Sequence, residues 1–393
     1  MVFPERFSNL PEYAFPRLRK LLDVHQAGGD PINMSIGEPR HPFPEFIGRA
    51  ISEALEGFGR YPPNEGGEDL RAAIVAWIAR RYGVHLNADQ HILALNGTRE
   101  GLFNAALALG VEEKAGQKPA VLMPNPFYQV YAVASLAINA EPIYVPATAE
   151  TGDLPDYAAL PAALLDRVTI AYLCSPANPQ GAVATEAYWR DLIALAEKHD
   201  FRIFADECYS EIYRNTPPVG ALQVAHDMGA DPDRVVVFHS LSKRSNLPGL
   251  RSGFAASGSG NIAAMKQLKN YTGAPLPLPL QAAAALAWRD EAHVEENRAI
   301  YRRKYQMADE IFGNVVGYQP LEAGFFLWLP VENDEAAALK LWREAGVRCL
   351  PGSYLSRAVA GQAIGQDRLR VALVAEEQEL QRGLLRLHGC LYQ

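Results

Sequence analysis

The sequence predicts an α/β protein in which a mostly parallel β-sheet lies between helices and a smaller α+β unit follows. Apolar runs typical of strands alternate with helical patterns between residues 67 and 257, an order that favours parallel strands joined by helices. Beyond about residue 285 the alternation loosens into long helices and short strands. A chain of 393 residues has room for two or three domains at about 150 residues each.

The elements follow from these patterns in chain order. Residues 67–82 have the spacing of an amphipathic helix. Strands are then predicted at 91–96, 120–124, 168–175, 202–207, 235–240 and 250–257, with helices at 99–109, 128–137 and 185–199. After the proline-rich segment 274–279 we expect one long helical stretch at 279–312, a helix near 334–345, and strand-like runs at 325–330, 347–350 and 368–374. Ligands of such sheets bind at the carboxyl ends of the strands, so the residues just after each strand are the candidates for function.

Composition and charge exclude several classes of protein. The 37 basic and 45 acidic residues give a net charge of −8, which argues against general nucleic-acid binding and a polybasic membrane contact. The contents of 49% hydrophobic and 21% charged residues are those of a globular protein. Cys174, Cys208, Cys349 and Cys390 form no CxxC pair, so we expect no metal site and a reducing compartment. The N-terminal segment lacks a signal-peptide core and no run reaches the ~18 apolar residues of a membrane span, which favours the cytoplasm.

The most informative segment is HSLSKRSNLPGLRSGF, residues 239–254. Lys243 follows an apolar strand and lies among the hydroxyl residues Ser240 and Ser242, with Arg251 further along the same segment. Desolvation and nearby cations lower the pKa of a lysine and free its amine for imine formation, while an arginine binds phosphate bidentately. Taken alone, the segment also fits an exposed loop with an ordinary surface lysine.

Three further segments place polar groups directly after predicted strands. Asp206 ends the strand in FADECYSEIY, and Asn178 lies in the turn CSPANPQG. Gly97 and Thr98 start a helix in LNGTREGLF, where free backbone N–H groups face a potential anion. Each segment alone also fits a strand-end carboxylate, a proline turn or a capped helix.

In this order the segments resemble the class I pyridoxal-phosphate-dependent aminotransferases of fold type I, the aspartate aminotransferase-like group. The pattern SLSK-x3-LPGLR-x-GF follows NP-x-G and D-E-x-Y, and the resemblance extends from residue 35 to residue 373. It implies a large domain at 46–285, with a mostly parallel seven-stranded sheet sandwiched by helices, and a smaller α+β domain formed by 1–45 with 286–393. It also implies the cofactor pyridoxal 5′-phosphate (PLP), amino-acid and 2-oxo-acid substrates, and aminotransferase activity.

The resemblance implies roles for the residues around the cofactor ring. Lys243 matches the lysine that binds the cofactor covalently and carries the proton to and from the substrate α-carbon. Asp206 matches the carboxylate that faces the pyridine nitrogen and keeps the ring protonated as an electron sink. Tyr209 and Asn178 match the hydrogen-bond partners of the phenolic oxygen, and Tyr128 matches the aromatic residue stacked on the ring.

The phosphate-binding positions implied by the resemblance combine hydroxyls, cations and a helix start. They are Ser240, Ser242, Arg251, Gly97 and Thr98. Arg99, which follows Thr98, departs from the family pattern, since many relatives have Gln there, and we also expect it in the cofactor site. Tyr61 matches a tyrosine that reaches the phosphate of the neighbouring subunit, which implies a homodimer with shared active sites.

The substrate-binding positions are implied in the same way. Arg370 matches the arginine that binds the substrate α-carboxylate, and the backbone near Gly37 and the amide of Asn178 lie beside it. For a second, distal carboxylate we name Arg40 and Arg99 from their placement in the sequence, although each also fits a surface arginine.

The combination of SIGEPR, LNGTRE and SKRSN resembles bacterial N-succinyl-diaminopimelate aminotransferases of lysine biosynthesis. We therefore expect amino transfer between N-succinyl-L,L-diaminopimelate and 2-oxoglutarate. An aspartate-, alanine- or aromatic-type aminotransferase of the same class stays open as an alternative. So does a β-elimination lyase of the same fold, which would release pyruvate and ammonia.

Other classes find less support in the sequence. SGSGNIAAM contains G-x-G-x-x-A, but no acidic residue follows about 20 residues later, as a dinucleotide site requires. A PLP-binding transcription regulator would need a basic DNA-binding module, and we find none. The nine histidines show no metal-binding spacing.

Overall fold

The computed structural model of the protein describes residues 5–8, 10 and 12–393. Its strands are β1 Ile32–Asn33, β2 Ile92–Leu95, β3 Ala120–Asn125, β4 Glu141–Pro146, β5 Val168–Cys174, β6 Arg202–Asp206, β7 Val235–Ser240, β8 Gly253–Ala256, β9 Phe326–Pro330, β10 Val347–Arg348, β11 Leu350–Pro351, β12 Ala358–Val359, β13 Gln362–Ala363 and β14 Arg368–Ala372. Its helices are α1 Ala14–Leu22, α2 Phe46–Glu53, α3 Glu68–Tyr82, α4 Ala88–His91, α5 Thr98–Leu109, α6 Gln129–Ala137, α7 Ala162–Leu165, α8 Glu186–His199, α9 Ala221–Met228, α10 Leu241–Arg244, α11 Ser259–Lys269, α12 Leu278–Arg289, α13 Ala292–Phe312, α14 Asp334–Ala345 and α15 Glu377–Leu391. Short 3-10 helices lie at Glu5–Phe7, Leu55–Gly59, Ala149–Thr151, Pro248–Leu250 and Gly352–Leu355.

Within the described residues, seven strands form the central sheet in the order β2-β8-β7-β6-β5-β3-β4. Neighbouring strands from β7 to β4 run parallel, and β8 alone runs against both of its neighbours. The inner strands β3, β5 and β7 are buried along their whole length, because helices cover both faces of the sheet. The predicted mostly parallel α/β sheet is therefore confirmed.

The sheet separates two apolar cores. One face packs against a cluster that includes Trp77, Trp189 and Trp288, and the other against a cluster that includes Tyr131 and Tyr172. Rigid packing on both faces fixes the height at which each strand ends. In the resulting register, Cys174 of β5 pairs with Asp206 of β6, so the carboxyl ends of these strands meet at one edge.

A smaller antiparallel sheet, in the order β11-β14-β9, follows the long helix α13. The N-terminal segment joins this part of the molecule, because β1 pairs in parallel with β10 and α1 packs against α14. The division into domains at 46–285 and at 1–45 with 286–393 stays a prediction. No helix in the described parts of the chain has the length and apolar character that crossing a membrane requires.

One predicted helix is in fact two. In place of a single stretch at 279–312, α12 ends at Arg289 and α13 begins at Ala292. Asp290 between them has extended backbone, with φ −86° and ψ 126°. Its carboxylate accepts the backbone N–H of His293 at 3.0 Å, which satisfies a free donor in the first turn of α13.

Candidate active site

A cavity of about 440 Å³ opens at the carboxyl ends of β5, β6 and β7, next to β14. It has the size of a small-molecule site and is lined by both apolar and convergent polar groups. The predicted site residues that line it are Gly37, Thr98, Arg99, Tyr128, Asn178, Asp206, Tyr209, Ser240, Ser242, Lys243, Arg251 and Arg370.

Lys243 enters the cavity from a short helix that begins where β7 ends. Ser240 caps this helix, since its hydroxyl accepts the N–H of Ser242 at 3.1 Å. The Lys243 ammonium donates to the carbonyl of Gly37 at 2.5 Å. Burial lowers the pKa of Lys243 to about 8, and the nearby Arg370 cation also disfavours its charge. A substantial share of the amine is therefore neutral and nucleophilic close to neutral pH.

Asp206 is the last residue of β6 and is buried beneath the cavity. The Tyr131 hydroxyl donates to its Oδ2 at 2.8 Å, and the Cys208 N–H donates to its Oδ1 at 3.4 Å. Burial raises the pKa of Asp206, because it removes water from the charged carboxylate. No basic side chain of the described residues lies within ion-pair distance of it. A protonated ring nitrogen placed above this carboxylate would supply the missing cation.

Asn178 and Tyr209 form a pair of donors beside Lys243 in the cavity wall. The Asn178 Nδ2 lies 3.5 Å from the Tyr209 hydroxyl, and its Oδ1 accepts from Arg370 Nη1 at 3.1 Å. Burial raises the pKa of Tyr209, so this residue stays a protonated donor. Two neutral hydrogen-bond donors side by side, the Asn178 amide and the Tyr209 hydroxyl, can both donate to a phenolate oxygen of a ligand.

The side of the cavity near α5 offers a cation, hydroxyls and a helix start. Arg251 donates to the carbonyls of Pro248 at 2.8 Å and Asn96 at 3.1 Å, which aims its guanidinium across the first turn of α5. Gly97 lies directly behind it with φ +83°, and a Cβ there would come within 2.1 Å of Arg251 Nη2. Gly97 therefore supports Arg251 from outside the cavity lining, while Thr98 lines the cavity itself. Guanidinium, hydroxyl groups and helical N–H groups together fit a phosphate.

Arg370 occupies the middle of β14 and is only 5% exposed. Its Nη2 donates to the carbonyl of Ser35 at 2.8 Å, and the Phe326 ring lies 4.2 Å from its guanidinium carbon. Burial lowers its pKa to about 10. Among the described residues its Nε has no hydrogen-bond partner and no carboxylate lies within ion-pair distance. A buried cation with free donors is suited to an anionic ligand.

Two predicted site residues lie elsewhere. Arg40 does not line the cavity, because its Nη1 donates to Glu379 at 2.8 Å and holds the side chain on the surface. Tyr61 is 101% exposed and makes no contribution to the cavity of its own chain.

The cavity also contains residues that sequence patterns do not identify. They are Tyr13, Phe15, Ile36, Pro124, Tyr131, Cys174, Cys208, Pro248 and Phe326. Tyr13 and Phe15 come from the start of α1, about 20 residues before the nearest motif, SIGEPR, and no local pattern marks them. Tyr131 carries a weak signal, since it lies one helical turn beyond Tyr128.

Comparison with known proteins decides the family. The family model described as aminotransferase class I and II matches residues 29–387. The chain belongs to this family. The aminotransferase is 31% identical over 401 residues to an LL-diaminopimelate aminotransferase of Dehalococcoides mccartyi, with 99% of each chain covered.

Solved structures agree with this assignment. An aminotransferase from Neisseria meningitidis superposes with a TM-score of 0.94 at 34% identity, covering 98% of this chain and 99% of the other. A probable N-succinyldiaminopimelate aminotransferase from Thermus thermophilus superposes with a TM-score of 0.83 at 26% identity, covering 96% and 100%. Fold type I is thus confirmed.

Class I aminotransferases use PLP, and this enzyme is a PLP-dependent transaminase. The cavity fits that cofactor at each of its polar groups. Asp206 is a buried carboxylate without a cationic partner, and Gly97 leaves room for the guanidinium of Arg251 where the phosphate would bind. Its substrates are amino acids and 2-oxo acids, as in the rest of the family.

Proposed function

We propose that this aminotransferase acts in diaminopimelate and lysine biosynthesis. In our proposal it transfers an amino group between N-succinyl-L,L-diaminopimelate and 2-oxoglutarate. The observation that carries the proposal is the guanidinium of Arg99 at the cavity wall. With Arg251 assigned to phosphate and Arg370 to the α-carboxylate, Arg99 is the guanidinium left among the described lining residues for a second carboxylate.

Arg99 is held in place by tyrosine hydroxyls. Its Nε donates to the Tyr128 hydroxyl at 2.9 Å, and both Tyr128 and Tyr13 raise the pKa of Arg99. The fork of a guanidinium matches a carboxylate bidentately. N-succinyl-diaminopimelate and 2-oxoglutarate both carry a carboxylate beyond the reacting end, so one distal cation serves both half-reactions.

The chain's own groups divide the reaction among them. Bound PLP supplies a protonated ring that takes up the negative charge of the substrate α-carbon. Asp206 would hold the proton on that ring. Lys243 Nζ would take the proton from the substrate α-carbon, becoming an ammonium, and would give it back from the same side. Arg370 orients the α-carboxylate with the Asn178 amide beside it. Ile36 and Phe326 form apolar walls of the cavity.

A second candidate is an aminotransferase that acts on L,L-diaminopimelate without the succinyl group. The name of the Dehalococcoides mccartyi relative favours it, whereas the name of the Thermus thermophilus neighbour favours the succinylated donor. L,L-diaminopimelate carries two carboxylates and its succinylated form carries three, so each has a carboxylate beyond the reacting end and the Arg99 argument applies to both.

We also propose that the active enzyme is a homodimer located in the cytoplasm. The fully exposed Tyr61 suits a residue that a partner chain covers. The four cysteines are free in the structure, as expected in a reducing compartment.

The experiment that tests the substrate compares kcat/KM for N-succinyl-L,L-diaminopimelate, L,L-diaminopimelate and aspartate, with 2-oxoglutarate as acceptor. We expect the succinylated donor to be at least about 100-fold better than aspartate, and Arg99→Ala to remove most of that preference. Preference for L,L-diaminopimelate would establish the second candidate. Equal values for aspartate, or release of pyruvate and ammonia, would contradict both.

A further inference from the structure

Outside the active site, the helix α13 carries a lysine with no access to solvent. Lys304 is 0% exposed. Its ammonium donates to His41 Nε2 at 2.6 Å, to the carbonyl of Leu373 at 2.9 Å and to the carbonyl of Ala375 at 2.7 Å. A lysine ammonium has three N–H donors, so this arrangement satisfies all of them.

The acceptors of Lys304 belong to the two segments that hold Arg370. Leu373 and Ala375 directly follow β14, the strand on which Arg370 lies. His41 follows the loop that contains Ser35 and Gly37. The carbonyl of Ser35 accepts from Arg370 Nη2, and that of Gly37 accepts from the Lys243 ammonium.

The two segments also contact each other in line with this lysine. The N–H of Ala372 donates to the carbonyl of Met34 at 2.7 Å, which joins the end of β14 to the start of the loop. Lys304 thus completes a ring of hydrogen-bonded segments, which consists of helix α13, the end of β14 and the loop at 35–41. Arg370 lies inside that ring, held by its own bond to Ser35.

Burying the charge of Lys304 costs free energy, and filling this space in the core does not require a charged side chain. Burial lowers the pKa of Lys304 to about 7, and burial together with Lys304 lowers the pKa of His41 to about 4. The acidic groups that face Lys304 are Glu376 and Glu377, and the basic ones are Arg303 and Arg40. None of these carboxylates lies within ion-pair distance of its ammonium in the described residues. An apolar side chain of similar length would fill the same space without desolvating a charge.

We propose that Lys304 is a positioning residue for the substrate carboxylate site, because its ammonium joins the backbone after β14 to the His41 side chain at the end of the loop that contacts Arg370. The proposal rests on the assignment of Arg370 to the substrate α-carboxylate. Lys304 itself touches neither substrate nor cofactor, so its removal shifts the guanidinium of Arg370 relative to the cavity. A displacement of this kind weakens the binding of every carboxylate ligand and leaves the ring and phosphate contacts intact.

The test compares Lys304→Met with a matched control, Lys114→Met, in the PLP-loaded enzyme. Lys114 also donates to three backbone carbonyls, those of Val168, His199 and Asp200, and none of these residues lines the cavity. The control therefore removes a partly buried ammonium that makes the same kind of backbone contacts away from the site. The readouts are KM and kcat for isotope exchange between glutamate and 2-oxoglutarate, the Kd of the non-reacting dicarboxylate maleate, the Kd of PLP, and Tm.

For Lys304→Met we expect both KM values and the maleate Kd to rise in parallel by about 10-fold or more, since small displacements of a binding group cost such factors. The kcat and the PLP Kd should stay within about 2-fold. Lys114→Met should lower Tm without changing KM or the maleate Kd. Unchanged maleate binding in Lys304→Met would overturn the proposal. So would a loss of kcat, PLP affinity and carboxylate affinity together, since that is the effect of general destabilisation.

If Lys304→Met does not fold, His41→Leu decides, because it removes one acceptor and leaves the two carbonyls. A raised maleate Kd in that variant supports the clamp, and an unchanged one refutes it. Arg370→Ala distinguishes a failure of the carboxylate assignment of Arg370 from a failure of the role proposed for Lys304. If it leaves maleate binding unchanged, the carboxylate assignment has failed; if it weakens maleate binding while Lys304→Met does not, only the role of Lys304 has failed.

Discussion

Replacement of Arg370 by alanine is the perturbation whose effect follows most directly from the structure. The guanidinium has five N–H donors. One goes to Asn178 and one to Ser35, while the Nε has no partner among the described residues. Enough donors therefore stay free for a bidentate contact with a substrate carboxylate, in a place where the side chain is 5% exposed and water competes little.

The magnitude follows from the burial of this contact. Removal of one partner of a buried, hydrogen-bonded charge pair costs about 2–5 kcal/mol. At 1.4 kcal/mol per tenfold, Arg370→Ala should raise KM by about 30-fold to about 3000-fold. Because both substrates present the same α-carboxylate to the same residue, the two KM values should rise by similar factors. The kcat should change less, since the carboxylate contact exists in the ground state as well as in the transition state.

The assay is steady-state exchange of an isotope label between glutamate and 2-oxoglutarate, which are each other's transamination products, so that it does not depend on the identity of the pathway substrate. Arg368→Ala is a matched control, because Arg368 lies on the same strand, pairs with Asp367 at 3.6 Å and does not line the cavity. It should leave both KM values within about 2-fold. An unchanged KM for both substrates in Arg370→Ala would remove this residue from the site.

Four other predictions concern the cofactor. Lys243→Ala should keep the fold, as judged by circular dichroism and Tm, and lose turnover; normal turnover would contradict the assigned role. Since burial lowers the pKa of Lys243 to about 8, its neutral amine is present above that pH, and the rate at which the apoenzyme captures PLP should rise up to about pH 8 and then level off. A rate that keeps rising to pH 10 would show an unperturbed lysine. Asp206→Asn should still bind PLP but lower kcat by about 100-fold or more, because the amide no longer stabilises a protonated ring nitrogen; a kcat within 3-fold would refute this. Gly97→Ala should raise the PLP Kd by about 10-fold or more, since the new methyl group displaces Arg251, whereas Gly152→Ala, also at positive φ but with open space around it, should not.

The sheet could be predicted from the sequence because its inner strands are continuous apolar runs ended by chemistry-bearing residues. β4 was not predicted, because it lacks the features that mark the inner strands. It is an edge strand with prolines at 142 and 146, and most of its side chains are partly exposed, so it lacks both the alternation and the apolar run that mark strands. The break between α12 and α13 left only a weak signal, since Asp290, whose carboxylate accepts the N–H of His293, is a residue type that favours helix starts but also occurs within helices.

The residues of the candidate site likewise fall into those that local sequence patterns predict and those that they do not. Lys243, Asp206 and Arg251 lie in local motifs whose order along the chain is distinctive. Tyr13 reaches the cavity only through the tertiary packing of α1, and no pattern within its own segment indicates that contact. The bond from Lys304 to His41 joins residues 263 positions apart, a separation at which sequence patterns carry no information on contacts.

The measurement that tests the central claim most directly is the visible absorption spectrum of the purified, PLP-loaded protein before and after addition of N-succinyl-L,L-diaminopimelate. We predict a band from PLP bound to Lys243 that bleaches as the donor converts the cofactor to its pyridoxamine form. Absence of the band after incubation with PLP would contradict the cofactor site and the role of Lys243. A band that persists with this donor but bleaches with glutamate would keep the transaminase and contradict the proposed substrate.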